Sequence, residues 1–262
     1  MKIIMLGDVV GEPGLTILEK SLPSLITEYK ADFAVVNGEN AAGGFGLTPE
    51  TLDRILAAGA DVVTGGNHIW EKREVWAALD SDKPVLRPAN YPALESVPGR
   101  GFLRLKKKNG LSVLVVNLQG RELMTPIDCP FRCFDFIESI KENQAGVIVV
   151  DFHAESAEEK EALGYYLDGR AGIAAGTHTH VQTADERILP RGTAYITDLG
   201  MTGAKHGVIG MDKDICLNRA RTQVTRRMEC AIPLKDEDYA VQGIVVELDE
   251  KGRAVNIDRI NR

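Results

Sequence analysis

The chain has 262 residues, 44% hydrophobic and 26% charged, the balance of a globular protein large enough to bury a full core. Its net charge of −7 argues against a long nucleic-acid track, which would need phosphate neutralisation by Lys and Arg. The first residues lack the apolar region of a signal peptide and no segment approaches the roughly 18 apolar residues of a membrane span, so a cytoplasmic chain without membrane contact is expected.

Along the chain, short β-branched runs alternate with amphipathic stretches, the pattern of an α/β protein. Strands are predicted at 3–6, 33–36, 61–64, 113–116, 147–150 and 173–175. Helices are predicted at 15–29, 49–58, 72–79 and 157–167, with Pro23 expected to kink or split the first. Ser156 followed by Glu159 reads as a capping box for the last. The basic run at 104–108, beside Asn109-Gly110, reads as a solvated turn. Beyond Gly192, strands are expected at 193–197, 230–234, 240–248 and 254–260, with a helix near 212–226 and a hairpin at Lys251-Gly252. No repeat or linker interrupts the chain, so one domain spanning 1–262 is expected. Cys129, Cys133, Cys216 and Cys230 match neither thioredoxin spacing nor a zinc knuckle and read as buried, reduced thiols.

Five strands run directly into polar loops: Gly7-Asp8, Asn37-Gly38-Glu39-Asn40, Gly65-Gly66-Asn67-His68, Asp151-Phe152-His153 and Gly176-Thr177-His178-Thr179-His180. In open α/β sheets ligands bind at the carboxyl ends of strands, so these loops should meet in one crevice. They carry four of the five histidines with carboxylates and asparagine amides, and no thiolate. That inventory suits a catalytic Mn, Fe or Zn centre, and one shared carboxylate can bridge two ions about 4 Å apart. A small anionic substrate then becomes compatible with an acidic chain.

Each residue also has a plainer reading. Asp8 alone suits a helix cap and Glu39 and Asn40 suit a turn before the Gly43-Gly44-Phe45-Gly46 loop, itself a flexible wall rather than a phosphate cradle. His153 alone suits a structural histidine, with Glu155 near enough to orient a ring. Asn67-His68 behind two glycines favours a site, and His178 and His180, two apart, are the strongest local signal for a metal. His206 reads as surface, Asn90 and Asn117 as strand-end groups that support the site or substrate, or as turn residues, and Trp70, Trp76 and Phe45 as core more than as base-stacking platforms.

In order and spacing, Asp8, Gly38-Glu39-Asn40, Gly66-Asn67-His68, His153 and Gly176-Thr177-His178-Thr179-His180 resemble the motif series of the calcineurin-like metallophosphoesterases. Gly7-Asp8-Val9-Val10-Gly11, Asn37-Gly38-Glu39-Asn40-Ala41-Ala42, Arg87-Pro88-Ala89-Asn90, Asn117-Leu118-Gln119-Gly120, Asp151-Phe152-His153-Ala154-Glu155 and Ile196-Thr197-Asp198-Leu199-Gly200-Met201-Thr202-Gly203 resemble the bacterial YmdB-type branch. That resemblance runs over nearly the whole chain.

It implies a four-layer α/β/β/α sandwich with two mixed β-sheets, a dinuclear site at one end, and hydrolysis of 2′,3′-cyclic nucleotides. Two positions depart from the wider superfamily: Val10 stands for a histidine and Glu39 for the bridging aspartate, so Asn40 would have to turn its amide oxygen inward. The implied ligand sets are Asp8, Glu39, Asn40 and His180 for one ion, and Glu39, Asn67, His153 and His178 for the other. Fe or Mn are the expected ions, with Zn also compatible. A metal-bound hydroxide would attack phosphorus in line, and His68, left free of metal, would assist the leaving oxygen. A phosphomonoesterase or 5′-nucleotidase on the same residues, or a non-enzymatic regulatory scaffold, are the alternatives. Homo-oligomer formation stays open.

Overall fold

The structure, a computed structural model, describes residues 1–92, 94, 96–107, 110–140 and 146–262. The chain begins with β1 (Lys2–Leu6), the short β2 (Asp8–Val9), α1 (Gly11–Tyr29), β3 (Phe33–Asn37), α2 (Pro49–Ala57), β4 (Val62–Thr64) and the single turn α3 (Trp76–Leu79). It continues through β5 (Phe102–Lys106), β6 (Ser112–Gln119), α4 (Pro130–Ser139), β7 (Val147–His153), α5 (Ala157–Leu167), β8 (Ile173–Thr177), β9 (Arg187–Ile188) and β10 (Ala194–Ile196). It closes with β11 (Met201–Ala204), α6 (Lys213–Thr222), β12 (Tyr239–Leu248) and β13 (Ala254–Asn261).

Two mixed sheets result. One has the order β2-β11-β12-β1-β3-β4 with β13 paired to β12, and the other the order β5-β6-β7-β8-β10-β9. Strand alternation sorts the apolar side chains into three layers. Ile3, Met5, Phe33 and Val35 face Val113, Val115, Val147 and Val149 between the sheets. Ile4, Leu6, Ala34 and Val36 turn the other way, onto Leu15, Leu18, Leu22 and Leu25 of α1, whose spacing of three and four makes one helical stripe. Leu114, Val116, Ile148 and Val150 pack on Phe134 and Ile137 of α4 and Leu163 and Leu167 of α5. The architecture is therefore a four-layer α/β/β/α sandwich. Among the described residues no helix is long and apolar enough to cross a membrane.

Several local expectations need correction. Pro23 lies inside α1 without interrupting it. The 72–79 stretch is a 3₁₀ turn at Arg73–Val75 followed by α3, not a full helix. Only half of the capping box at Ser156 forms: its hydroxyl accepts from Glu159 N at 3.2 Å, but the Glu159 carboxylate accepts instead from the backbone of Arg121 and Glu122. Residues 104–106 belong to β5 rather than to a turn, paired with β6, while Lys108 and Asn109 lie outside the described residues. The 230–234 stretch forms only an isolated bridge, Met211 with Cys230, because Ile232 and Leu234 are exposed and lack a neighbouring strand. All four cysteines are free, as expected, but half-buried rather than buried. α4 was not expected, although its buried Pro130, Phe134 and Ile137 lie at helical spacing.

Leu18 is fully enclosed between α1 and its sheet. Leu18→Ala is expected to lower stability by about 2–5 kcal/mol in urea unfolding, the range for a core cavity that the surroundings only partly refill. A loss below about 1 kcal/mol would contradict this packing.

Candidate metal centre

The loops that leave β1, β3, β4, β7 and β8 deliver their side chains to one end of the sandwich. His153 closes β7, with its Nδ1 3.0 Å from the Thr177 hydroxyl, which itself donates to Asp151 at 2.7 Å. Thr177 thus accepts from Nδ1 and leaves Nε2 facing the crevice. Around that one nitrogen lie Glu39 Oε1 at 2.9 Å, Asn67 Oδ1 at 3.1 Å and His178 Nδ1 at 3.0 Å. Glu39, His153 and His178 offer ligand atoms all within 4.8 Å of one another. A single ring proton serves one acceptor, so such a convergence of lone pairs fits a cation better than a hydrogen-bond network.

Next to this group lies a second set. Asp8 is fully buried; its Oδ2 accepts from His178 N at 3.2 Å, and its Oδ1 lies 3.7 Å from His180 Nε2 with no hydrogen-bond partner. His180 Nδ1 faces the Ile209 carbonyl at 2.9 Å, which places the proton there and the lone pair on Nε2. Asn40 donates through Nδ2 to Gly44 O at 2.9 Å, and its Oδ1 is left buried and unpartnered. Two orphaned oxygens and an imidazole lone pair are a donor set that suits a second divalent ion. Val10 is fully buried against Met201 and Met211 and takes part in packing only.

Strain and close approach hold these groups in place. His178 and His180 have φ of 102° and 63°, left-handed values that cost a non-glycine residue energy and that the surrounding contacts maintain. Glu155 Oε2 lies 3.2 Å from His178 Nε2, so the ring it orients is that of His178. A Cβ on Gly66 would sit 2.3 Å from both Glu39 Oε2 and His153 Nε2, which explains the glycine. Asn117 accepts from Gly65 N at 3.2 Å and so fixes the same turn. Asn90 uses both ends of its amide on the backbone of Gln119 and Asp128. His68 donates its backbone N–H to Glu39 Oε2 at 3.0 Å, while its ring faces Glu71 at 3.2 Å and packs edge-on against Phe45. Trp70 packs partly on the core, and His206 is exposed beside Asp238.

Two buried supports had gone unassigned. Asp151 accepts from Thr64, Thr177 and Asn37, tying three strand ends together. In the sequence it stood in the strand-end motif Asp151-Phe152-His153, two residues before His153 on the same strand face. Lys160 and Asp198 form a fully buried ion pair at 2.7 Å, and Asp198 also accepts from Thr179 N and Oγ1, so it anchors the loop between the two histidines. Lys160 shares the buried stripe of α5 with Leu163 and Leu167, a position where a lysine requires a buried partner.

Burial pushes the Asp8 carboxyl up to about 6, against the pull of His180 and His153. Burial would raise Glu39 too, but the neighbouring His153 charge and hydrogen bond hold it down at about 2. Burial lowers His153, but the charge and hydrogen bond of Glu39 with the charges of Asp8 and Asp151 together raise it to about 9. Burial and the adjacent His153 press His178 down to about 3.

A sequence model described as YmdB-like protein matches residues 4–260. A Bacillus subtilis protein named 2′,3′-cyclic-nucleotide 2′-phosphodiesterase is 44% identical over 261 residues, 99% of this chain and 96% of that one. A crystal structure of a hypothetical protein from Thermus thermophilus superposes with a TM-score of 0.91 at 41% identity, over 100% of this chain and 99% of the other. Another, titled as a novel phosphatase from Mycoplasma pneumoniae, gives a TM-score of 0.91 at 31% identity, over 100% and 93%.

Gly66→Ala is expected to force Glu39 and His153 apart, lowering the metal content of the purified protein at least tenfold while circular dichroism stays that of the wild type. Full metal content in that variant would refute the close approach described for this glycine.

Proposed function

The chain belongs to the YmdB-like protein family, and from that premise we propose that it is a dinuclear metal-dependent phosphodiesterase acting on small phosphodiesters, 2′,3′-cyclic nucleotides in particular. The observation that carries this reading is the pairing of two donor sets: lone pairs crowded around His153 Nε2, and buried, unpartnered oxygens on Asp8 and Asn40. The name of the Bacillus subtilis relative, at 44% identity over almost the entire chain, supports the substrate class.

In this reading Asp8, Glu39, Asn40 and His180 hold one ion, Fe or Mn, and Glu39, Asn67, His153 and His178 hold the other. When bound, such a pair supplies Lewis acidity toward phosphoryl oxygens and lowers the pKa of a coordinated water. The chain's own residues do the rest. Asp151 and Thr177 fix the His153 ring, Glu155 fixes that of His178, and Asp198 fixes the loop between His178 and His180. His68, with Glu71 at its Nδ1, delivers a proton to the departing sugar oxygen. The whole chain serves as one domain, and its free cysteines suit a reducing, cytoplasmic setting.

Protein purified without oxygen is expected to carry two metal ions per chain and to open 2′,3′-cyclic AMP while leaving 5′-AMP intact. Asp8→Ala, Glu39→Ala and His180→Ala should each abolish turnover with the fold retained. Undiminished turnover after chelation and dialysis would rule the mechanism out, and preference for 5′-AMP would make the protein a monoesterase. His68→Ala should keep near wild-type metal content and lose about 10²- to 10⁴-fold in rate; loss of metal would show that His68 is a ligand.

A further inference from the structure

Gln119 ends β6 in parallel register with His153 on β7. Val113 and Val115 of the same strand point between the sheets, whereas Leu114 and Val116 point to α4 and α5. Alternation therefore puts Gln119 on the inner face, beside the His153 ring. Its backbone is clamped on both sides by Asn90, which accepts from Gln119 N and donates to Gln119 O, each at 2.8 Å. The side chain is fully buried, and its Oε1 accepts from the Tyr91 hydroxyl at 3.2 Å. Among the described residues its Nε2 is buried with no acceptor.

A buried donor left unpaired beside a catalytic cluster calls for an explanation, because folded chains satisfy nearly all such groups. Nearby groups are poor candidates to satisfy it. Asn90 Nδ2 donates to two backbone carbonyls and its Oδ1 already accepts from Gln119 N, and Tyr91 serves the other end of the amide. Tyr91 is itself placed with care: its ring packs edge-on against Trp70 at 4.7 Å, and Trp70 donates to Pro98 O at 3.1 Å. Burial raises the Tyr91 hydroxyl, against the hydrogen bond to Gln119 that lowers it.

We propose that Gln119 is a substrate-contacting residue whose Nε2 donates to a non-bridging phosphoryl oxygen, with Tyr91 holding the amide in that orientation. The proposal rests on the phosphodiesterase reading above. A phosphate group supplies the acceptor, and the Nε2 end of the amide adds a donor that does not itself bind cations. Negative charge on the phosphoryl oxygens changes during displacement, so a fixed donor there contributes to the rate as well as to binding.

The test uses metal-loaded protein and two readouts: kcat and KM for 2′,3′-cyclic AMP, and calorimetric titration with inorganic phosphate. Gln119→Met removes the donor at nearly constant shape. It should lower kcat/KM on the order of 10²-fold, mainly through kcat, and weaken phosphate binding about tenfold, with metal content unchanged. Gln119→Glu keeps the bond to Tyr91 but sets a carboxylate against phosphate, and should lose more on both readouts. Tyr91→Phe should fall about tenfold in kcat/KM, since the amide is then free to turn. Gln119→Met within twofold of wild type on both readouts would overturn the proposal. So would loss of metal in both Gln119 variants, because the side chain would then be a support of the metal centre. A wild type that binds phosphate through Gln119 yet leaves the cyclic diester intact would sink the substrate assignment and uphold this contact.

Discussion

Electron-rich atoms gather around one point only where a proton or a cation lies among them, and that constraint governs the rest of the molecule. Glu39 Oε1, Asn67 Oδ1 and His178 Nδ1 are all held at hydrogen-bond distance from His153 Nε2. Keeping them there requires rigid neighbours on every side. Asp151 and Thr177 lock one imidazole, Glu155 another, and the Lys160–Asp198 pair ties down the turn that carries His178 and His180. The left-handed backbone at both of these histidines is the local cost of aiming two rings into one small space.

The sandwich makes that rigidity available. Parallel strands β1, β3 and β4 in one sheet and β6, β7 and β8 in the other end on the same side of the molecule, so short loops suffice to bring their termini together. The intersheet layer of Val, Ile and Phe side chains lies directly behind the polar cluster. Along β7 the change from Val149 to Asp151 to His153 on one face marks the border between them. A dry, close-packed base of this kind keeps ligand atoms within tenths of an ångström, which loops alone do not achieve.

Much of this was legible in the amino-acid order. Short β-branched runs ending in Asp8, Glu39, Asn67, His153 and His178 announced both the strands and the crevice, because buried strands and strand-end polar residues carry strong local signals. What escaped was of two kinds. β2, β9 and β11 are two to four residues long and exist only through pairing with distant partners, so no local pattern marks them. The roles of Asp151 and Asp198 depend on which hydroxyls and ammonium groups lie across from them, and spacing along the chain does not encode that. Glu155 shows the same limit: its sequence position suggested that it orients a ring, and only the fold names His178 as that ring. The 104–108 run misled in the opposite direction, since charged side chains on an edge strand look like a turn until the pairing partner is known.

The position of β12 has a consequence for how the protein is made. β12 lies between β11 and β1, so that Lys2 pairs with Glu247, and β1 waits for a strand made far later along the chain. The other sheet, β5 through β10, draws on one continuous stretch of chain and can close earlier. Asp8 and Glu39 belong to the late sheet and His153 and His178 to the early one. The two halves of the polar cluster therefore come from sheets that close at different times, and the proposed cation site is complete only once both have formed.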